Sequence, residues 1–188
     1  MTTIRITALA LGLAMAGCAA PEMPVESRIA VVPHDARFDI SVPMSHVVLQ
    51  VPRGDLQVAP ASGQGAAGSP RYFILKGASG LVISGWIEPA RLYKPLDETL
   101  GQEFAGMAKD GVAKPVNVAK SRVGAFDVFT FDMPLNQSVA AADVRASWHD
   151  EDTWIDLHLS CTGSAATIAQ LRTQVLDALR GLSVQAKS

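Results

Sequence analysis

The chain carries little net charge and lacks the motifs of several common protein classes. Its 188 residues include 16 Lys and Arg against 18 Asp and Glu, a formal net charge of −2. This balance offers nothing that would attract nucleic acid or an anionic membrane surface. The sequence contains no Walker motif, no Gly-x-Ser-x-Gly elbow and no heptad array. It therefore disfavours P-loop enzymes, hydrolases of the nucleophile-elbow type and coiled coils.

The N-terminal apolar run, residues 8–16, is too short to span a bilayer, which takes about 20 residues. Arg5 precedes the run and small residues follow it, a plan typical of a secretory signal. The tetrapeptide Met15-Ala16-Gly17-Cys18 resembles the lipobox of bacterial lipoproteins, with Met15 where that family usually has Leu. The resemblance implies that residues 1–17 are removed and that Cys18 is lipidated on its sulfur and acylated on its amino group.

The same resemblance predicts where the protein resides. Ala19 follows the cysteine, whereas an Asp there retains enterobacterial lipoproteins in the inner membrane. We therefore expect a lipid anchor in the outer membrane with the body on its periplasmic face; the inner membrane is the alternative. Three acyl chains would make desorption negligible, since each buried CH₂ contributes about 0.8 kcal/mol. Only Cys161 then remains as a thiol, so an intramolecular disulfide is excluded.

Composition divides the mature chain into a tether and one domain. Residues 18–35 contain Pro21, Pro24 and Pro33 and few large apolar side chains, which is typical of a spacer, although residues 28–32 could add a short strand. Residues 36–188 form a single domain large enough for a core. Within it, residues 54–70 are rich in Gly, Ala, Ser and Pro and predict a long exposed loop, either a binding loop or a plain insertion.

Alternating apolar residues predict three hairpins. The first sets Phe38, Ile40 and Val42 against Val51, Leu49 and Val47. The second joins residues 71–76 and 81–88, which are apolar on both faces and therefore belong near the middle of the sheet. The third joins residues 144–149 and 154–161, with His149 opposite Trp154. Further strands are expected at 115–120 and 125–133, followed by a loop at 136–142.

The third hairpin sorts its side chains into an apolar and a polar face. Cys161 continues the apolar face, so we expect it to be an inert buried thiol. The polar face holds Arg145, Ser147, His149, Trp154, Asp156, His158 and Ser160. The simplest interpretation is an exposed sheet face with a diagonal Arg145–Asp156 ion pair.

Two helices are predicted, at 97–111 with Asp97 as the N-cap and at 164–181 with an apolar stripe at spacings of three and four. The fold class is therefore α+β, a mostly antiparallel β-sheet with two main helices packed on it. This order resembles the PsbP-like α/β/α sandwich over roughly residues 38–184. The stretches 84–89 and 153–160 are similar to uncharacterised proteobacterial proteins, a likeness that implies no function.

Several functional interpretations remain open at this stage. A Trp beside a carboxylate, as in Trp86 and Glu88, can bind sugars or cations, but it is also common at a core edge. Asp156, His158 and a nearby Ser have the residue types of a hydrolase. His149 and His158 fall short of the three or four ligands of a zinc site, so we expect no metal and no cofactor. The candidate binding residues are Trp86, Glu88, Arg145, His149, Trp154, Asp156 and His158.

The anchor and the missing catalytic motifs favour a non-enzymatic binding module with an envelope protein as its possible partner. A small periplasmic hydrolase and an amphiphile carrier are the alternatives.

Overall fold

A computed structural model describes residues 28–43, 45–60 and 69–187. These residues form two antiparallel sheets and two α-helices, so the α+β class is confirmed. The predicted signal sequence, Cys18 and most of the predicted tether lie outside the described residues. Within the described part of the chain, no helix combines the length and apolarity needed to cross a bilayer.

The two sheets differ in size. The smaller has the strand order β1-β2-β3-β11, and the larger has the order β4-β5-β6-β10-β9-β8-β7. The smaller sheet comprises β1 (Ala30–Pro33), β2 (Arg37–Ser41), β3 (Val47–Pro52) and β11 (Ser183–Ala186). The larger comprises β4 (Gln57–Val58), β5 (Tyr72–Lys76), β6 (Leu81–Pro89), β7 (Val116–Val123), β8 (Phe126–Pro134), β9 (Val139–His149) and β10 (Thr153–Ser164). The helices are α1 (Leu96–Lys109) and α2 (Ile168–Arg180).

The predicted hairpin registers are confirmed. Phe38 pairs with Val51 in the first hairpin, and Trp154 pairs with His149 in the last. Strand side chains alternate between faces, so a slip of one residue would turn every apolar side chain of a strand away from the core. The alternation in the sequence therefore determined each register.

The helices lie on opposite faces of the larger sheet. Val175 and Leu179 of α2 pack in the main core with Val144 and Leu157 of the sheet. The smaller sheet covers the same face, since Ile40 and Leu49 are in this core too. Leu96 and Leu100 of α1 pack on the other face, against a cluster that includes Phe131, Met133 and Ala141. The layers thus follow the expected α/β/α order.

Several boundaries differ from the sequence predictions. The folded part begins before residue 36, because β1 lies within the predicted tether and pairs with β2; the short strand considered at residues 28–32 therefore forms, at Ala30–Pro33. The predicted loop at 54–70 contains β4, which pairs with β5. The predicted loop at 136–142 is wrong from Val139 onward, where β9 begins. Small side chains of this segment (Ala140, Ala141 and Ala142) are buried, Ala142 in the main core and Ala141 in the cluster under α1.

Two further predictions need correction. Asp97 lies in the first turn of α1 and Pro95 occupies the N-cap without a side-chain hydrogen bond. Asp97 instead accepts a hydrogen bond from Lys120 Nζ at 2.8 Å. The 71–88 hairpin lies near the middle of the larger sheet only through β6, which neighbours the central strand β10. Its other strand, β5, has only the two-residue β4 outside it.

Candidate functional site

One cleft on the α1 side of the larger sheet gathers five of the predicted binding residues. Its volume is about 350 Å³, and its lining residues are Trp86, Glu88, Leu92, Thr99, Arg145, Trp154 and Asp156. Strands β6, β9 and β10 supply the floor. Leu92, from the 3₁₀ turn Ala90–Leu92, and Thr99, from α1, supply the rim. We call this cleft the tryptophan pocket.

The pairing of β6 with β10 explains the composition of the pocket. Trp154 lies opposite Glu88, and Asp156 lies opposite Trp86. Residues two apart on a strand share a face, so each indole has one carboxylate across the ladder and another along its own strand. The floor is therefore an alternating array of two indoles and two carboxylates.

Neighbouring side chains hold the two indoles in place. The Trp86 ring lies against Tyr72, with centroids 4.8 Å apart and planes inclined by 46°. The Trp154 indole N–H donates to Ser147 Oγ at 2.9 Å, and Tyr93 meets the same ring edge-on with centroids 5.9 Å apart. Aromatic contacts of this kind contribute about 0.5–1.5 kcal/mol beyond their buried area. The two indoles of the pocket floor are thus fixed by contacts within the protein.

The Arg145–Asp156 ion pair forms as predicted, but the face that carries it is not exposed. Arg145 Nη2 lies 3.0 Å from Asp156 Oδ2, and the two side chains are only 9% and 8% exposed. Helix α1 covers them, because Glu103 accepts a hydrogen bond from Arg145 Nη1 at 2.7 Å. Burial raises the pKa of Asp156 above its usual value, and Arg145 offsets only part of this effect. Arg145 Nε is buried without a hydrogen-bond partner.

Glu88 is the less well compensated carboxylate of the pocket. Its side chain is 19% exposed, and its nearest described cation is Arg71, whose Nε lies 3.7 Å from Oε2. That separation exceeds hydrogen-bond distance. Burial raises the pKa of Glu88, while the charges of Arg71 and Arg91 act in the opposite direction. Glu88 and Arg71 also line a neighbouring cleft of about 390 Å³, together with His46 and Asp152.

The two predicted histidines lie outside the tryptophan pocket. His149, at the end of β9, stacks on Tyr93 with ring centroids 3.9 Å apart. His158 Nε2 lies 2.8 Å from Oδ1 of the buried Asp143. This pair lines a separate cleft of about 270 Å³ with Glu103, Met107 and Phe131 among its other walls. The structure therefore does not unite His158 with the pocket.

Asp156, His158 and the nearby serines do not form the hydrogen-bonded chain of acid, base and nucleophile that a hydrolase needs. Asp156 is bound to Arg145 instead of orienting His158. Ser84 Oγ donates to the backbone carbonyl of His158, and Ser147 Oγ accepts the Trp154 N–H. A nucleophile must be hydrogen-bonded to its base and the base to its acid. Asp156, His158 and these serines make none of those links to one another.

Two further predictions concern metal ligands and Cys161. Over residues 28–43, 45–60 and 69–187, no three His, Cys, Asp or Glu side chains are grouped so that they could hold a metal ion.

Cys161 is fully buried, as expected from its place on the apolar face. Burial also raises the pKa of its thiol, which lowers its reactivity.

Sequence reasoning missed Glu103, Asp143, Leu92 and Thr99. Glu103 had a detectable signal, because it lies seven residues after Leu96 and three after Leu100, on the inward stripe of α1. Asp143 also had one, since it is two residues before Arg145 on the same strand face. Leu92 and Thr99 reach the rim only through the path of the chain between β6 and α1, and no local pattern indicates this.

No protein-family model matches the chain, and no curated protein matches it. Among solved structures, the chain is similar to the solution structure of cyanobacterial PsbP (CyanoP) from Synechocystis sp. PCC 6803. The identity is 12% and the TM-score 0.48, over 91% of this chain and 99% of that one. This neighbour is a PsbP protein. The α+β class of this chain is shown by its own strand pairing and helices.

Proposed function

We propose that this protein is a lipid-anchored, non-enzymatic binding module of the bacterial cell envelope, and that the tryptophan pocket is its binding site. The observation that carries the proposal is the array of two indoles and two carboxylates on the pocket floor. Tryptophan supplies a large contact surface at low cost in conformational entropy, which is why it is enriched where proteins bind their partners.

The charges of the pocket support a binding role over the hydrolase alternative. Arg145 engages Asp156 and Glu103 at once, so Asp156, the acid that the hydrolase alternative requires, is committed to an ion pair. A general acid or base must be free to exchange a proton with the substrate. A buried ion pair instead gives a fixed shape and charge, as recognition requires.

The location of this module comes from the sequence alone. The lipobox resemblance at 15–18 supports an anchor on Cys18 in the outer membrane, with the domain on the periplasmic face. The inner membrane is the alternative site. In either membrane, the partner we propose is a component of the envelope, because the tether keeps the domain close to the bilayer.

Chemical cross-linking in intact cells, followed by purification from membranes, tests the proposal. The wild-type protein and a Glu151→Gln control in the exposed β9–β10 turn should recover the same stoichiometric partner. Trp86→Leu and Glu88→Gln should recover much less of it, because each removes one part of the pocket floor. Repeated recovery of no partner, or equal recovery by all four proteins, would contradict the proposal.

A further inference from the structure

We propose that the tryptophan pocket recognises an organic cation, that is, an alkylammonium or guanidinium group. The inference rests on the proposed function, because it names the chemistry that the proposed binding site accepts. It depends on three properties of the pocket: its hydrogen-bond donors, its charges and its rings.

Most donors that line the pocket are already used within the protein. The Trp154 indole N–H donates to Ser147, and the Thr99 hydroxyl donates to the carbonyl oxygen of Pro95 at 3.2 Å. Both terminal nitrogens of Arg145 donate to carboxylates. Two donors of the lining residues have no partner within the described residues: the Trp86 indole N–H and the buried Nε–H of Arg145. The other polar groups of the lining are the carboxylates of Glu88 and Asp156, which can only accept while ionised. The pocket therefore suits a ligand with few acceptors.

Negative charge exceeds positive charge among the residues that line the pocket. Glu88 and Asp156 supply two carboxylates, whereas Arg145 supplies the one guanidinium and shares it with Glu103 of α1. Arg71 lies 3.7 Å from Glu88 on the side of the neighbouring cleft, and Arg91 contributes from the 3₁₀ turn. The raised pKa values of Glu88 and Asp156 have burial as their largest cause, so these nearby cations do not fully compensate the buried carboxylates. A ligand cation would supply the missing compensation, and an anion would add to the repulsion.

The two indoles add a second attraction for a cation. Tryptophan is the aromatic side chain that attracts cations most strongly through its ring face, with about 0.5–2 kcal/mol per contact. A saccharide, the other class that stacks on tryptophan, presents hydroxyls that both donate and accept. The few free donors of the pocket would leave many of those acceptors unpaired, at a cost of about 1–3 kcal/mol for each buried group. The donor balance therefore favours the cation over the sugar.

The test compares choline with 3,3-dimethylbutan-1-ol, an uncharged compound of nearly the same shape, at constant ionic strength. Binding to the purified protein is followed by the NMR signals of the tryptophan indole N–H groups. Choline should bind about tenfold more tightly than the alcohol, which corresponds to about 1.4 kcal/mol. Glu88→Gln should remove most of that difference, and Glu151→Gln should behave as wild type.

A second pair of probes distinguishes the two sources of the cation. A capped Gly-Arg-Gly peptide is compared with a capped Gly-Gln-Gly peptide. Tighter binding of the arginine peptide than of choline would support a side chain of a protein partner, and the reverse order would support a free amine.

Equal binding of charged and neutral probes, or no binding of either, would overturn the cation inference. The proposed function would survive that result if partner capture from membranes still depended on Trp86. Loss of both the charge preference and the dependence on Trp86 would remove the proposed function as well.

Discussion

Replacing Arg145 with Met is the most direct test of the charge cluster under α1. Arg145 lies between Asp156 and Glu103, and its own side chain is 9% exposed. Methionine keeps much of the length and apolar volume of arginine but removes the charge and every donor. Among the described residues, Asp156, which is 8% exposed, would then have no cation within hydrogen-bond distance.

The size of the effect follows from the burial. Removing one partner of a buried ion pair costs about 3–5 kcal/mol, because the other charge remains in a poor solvent. A protein of this size shifts its melting temperature by roughly 2–4 °C per kcal/mol. We therefore expect Arg145→Met to melt roughly 6–20 °C below the wild type at pH 7. Such a loss is a large part of a typical stability of about 5–15 kcal/mol.

The loss should also depend on pH. Burial raises the pKa of Asp156 in the folded protein, and removal of Arg145 would raise it further. The folded state then binds a proton that the unfolded state releases, so stability falls as pH rises through the interval between the two pKa values. The deficit of the variant should be greatest above that interval and should shrink on acidification.

Urea denaturation at several pH values measures both effects, with Arg180→Met as the matched control. Arg180 pairs with Asp177 on the surface of α2, and both side chains are about 60% exposed. Exposed pairs contribute about 0–1 kcal/mol. Equal stabilities of the two variants, or a deficit that does not change with pH, would refute the placement of a buried charge cluster between α1 and β10.

Three further predictions follow from the same structure. Gly85→Ala should destabilise the fold by about 3 kcal/mol, since the new Cβ would lie 2.3 Å from the backbone oxygen of Asp156. Gly101→Ala, on the open surface of α1, should instead stabilise the fold by up to about 1 kcal/mol. Thermal denaturation of the two variants distinguishes these outcomes. Glu88→Gln should raise the urea midpoint at pH 7, because burial raises the pKa of Glu88 and ionisation of this side chain opposes folding. The gain in stability should disappear at about pH 4, where the Glu88 carboxyl is largely protonated in both states. A gain that persists at that pH would contradict this explanation. Cys18→Ser should release the protein from membranes and change its electrophoretic mobility, as membrane fractionation would show; unchanged sedimentation with membranes would remove the proposed anchor.

The tryptophan pocket was only partly predictable. The alternation in β9 and β10 placed Arg145, Trp154 and Asp156 on one face, because strand periodicity is local. The pairing of β6 with β10 brought Trp86 and Glu88 to that face, and this contact joins segments almost seventy residues apart in the chain. A sequence pattern fixes which side chains share a face of one hairpin, but it does not fix which hairpin lies next to another.

The hairpin registers, both helices and the α+β class were determined by the sequence itself, since they depend on apolar spacing over a few residues. Only the tertiary structure decided that the hairpins belong to two sheets and that the C-terminal segment β11 pairs with β3. It also decided that α1 covers the polar face of β9 and β10, so that Arg145 and Asp156 are buried instead of exposed. The physical reason is that burial of a polar face depends on where a distant helix packs, and that position is set by the whole core.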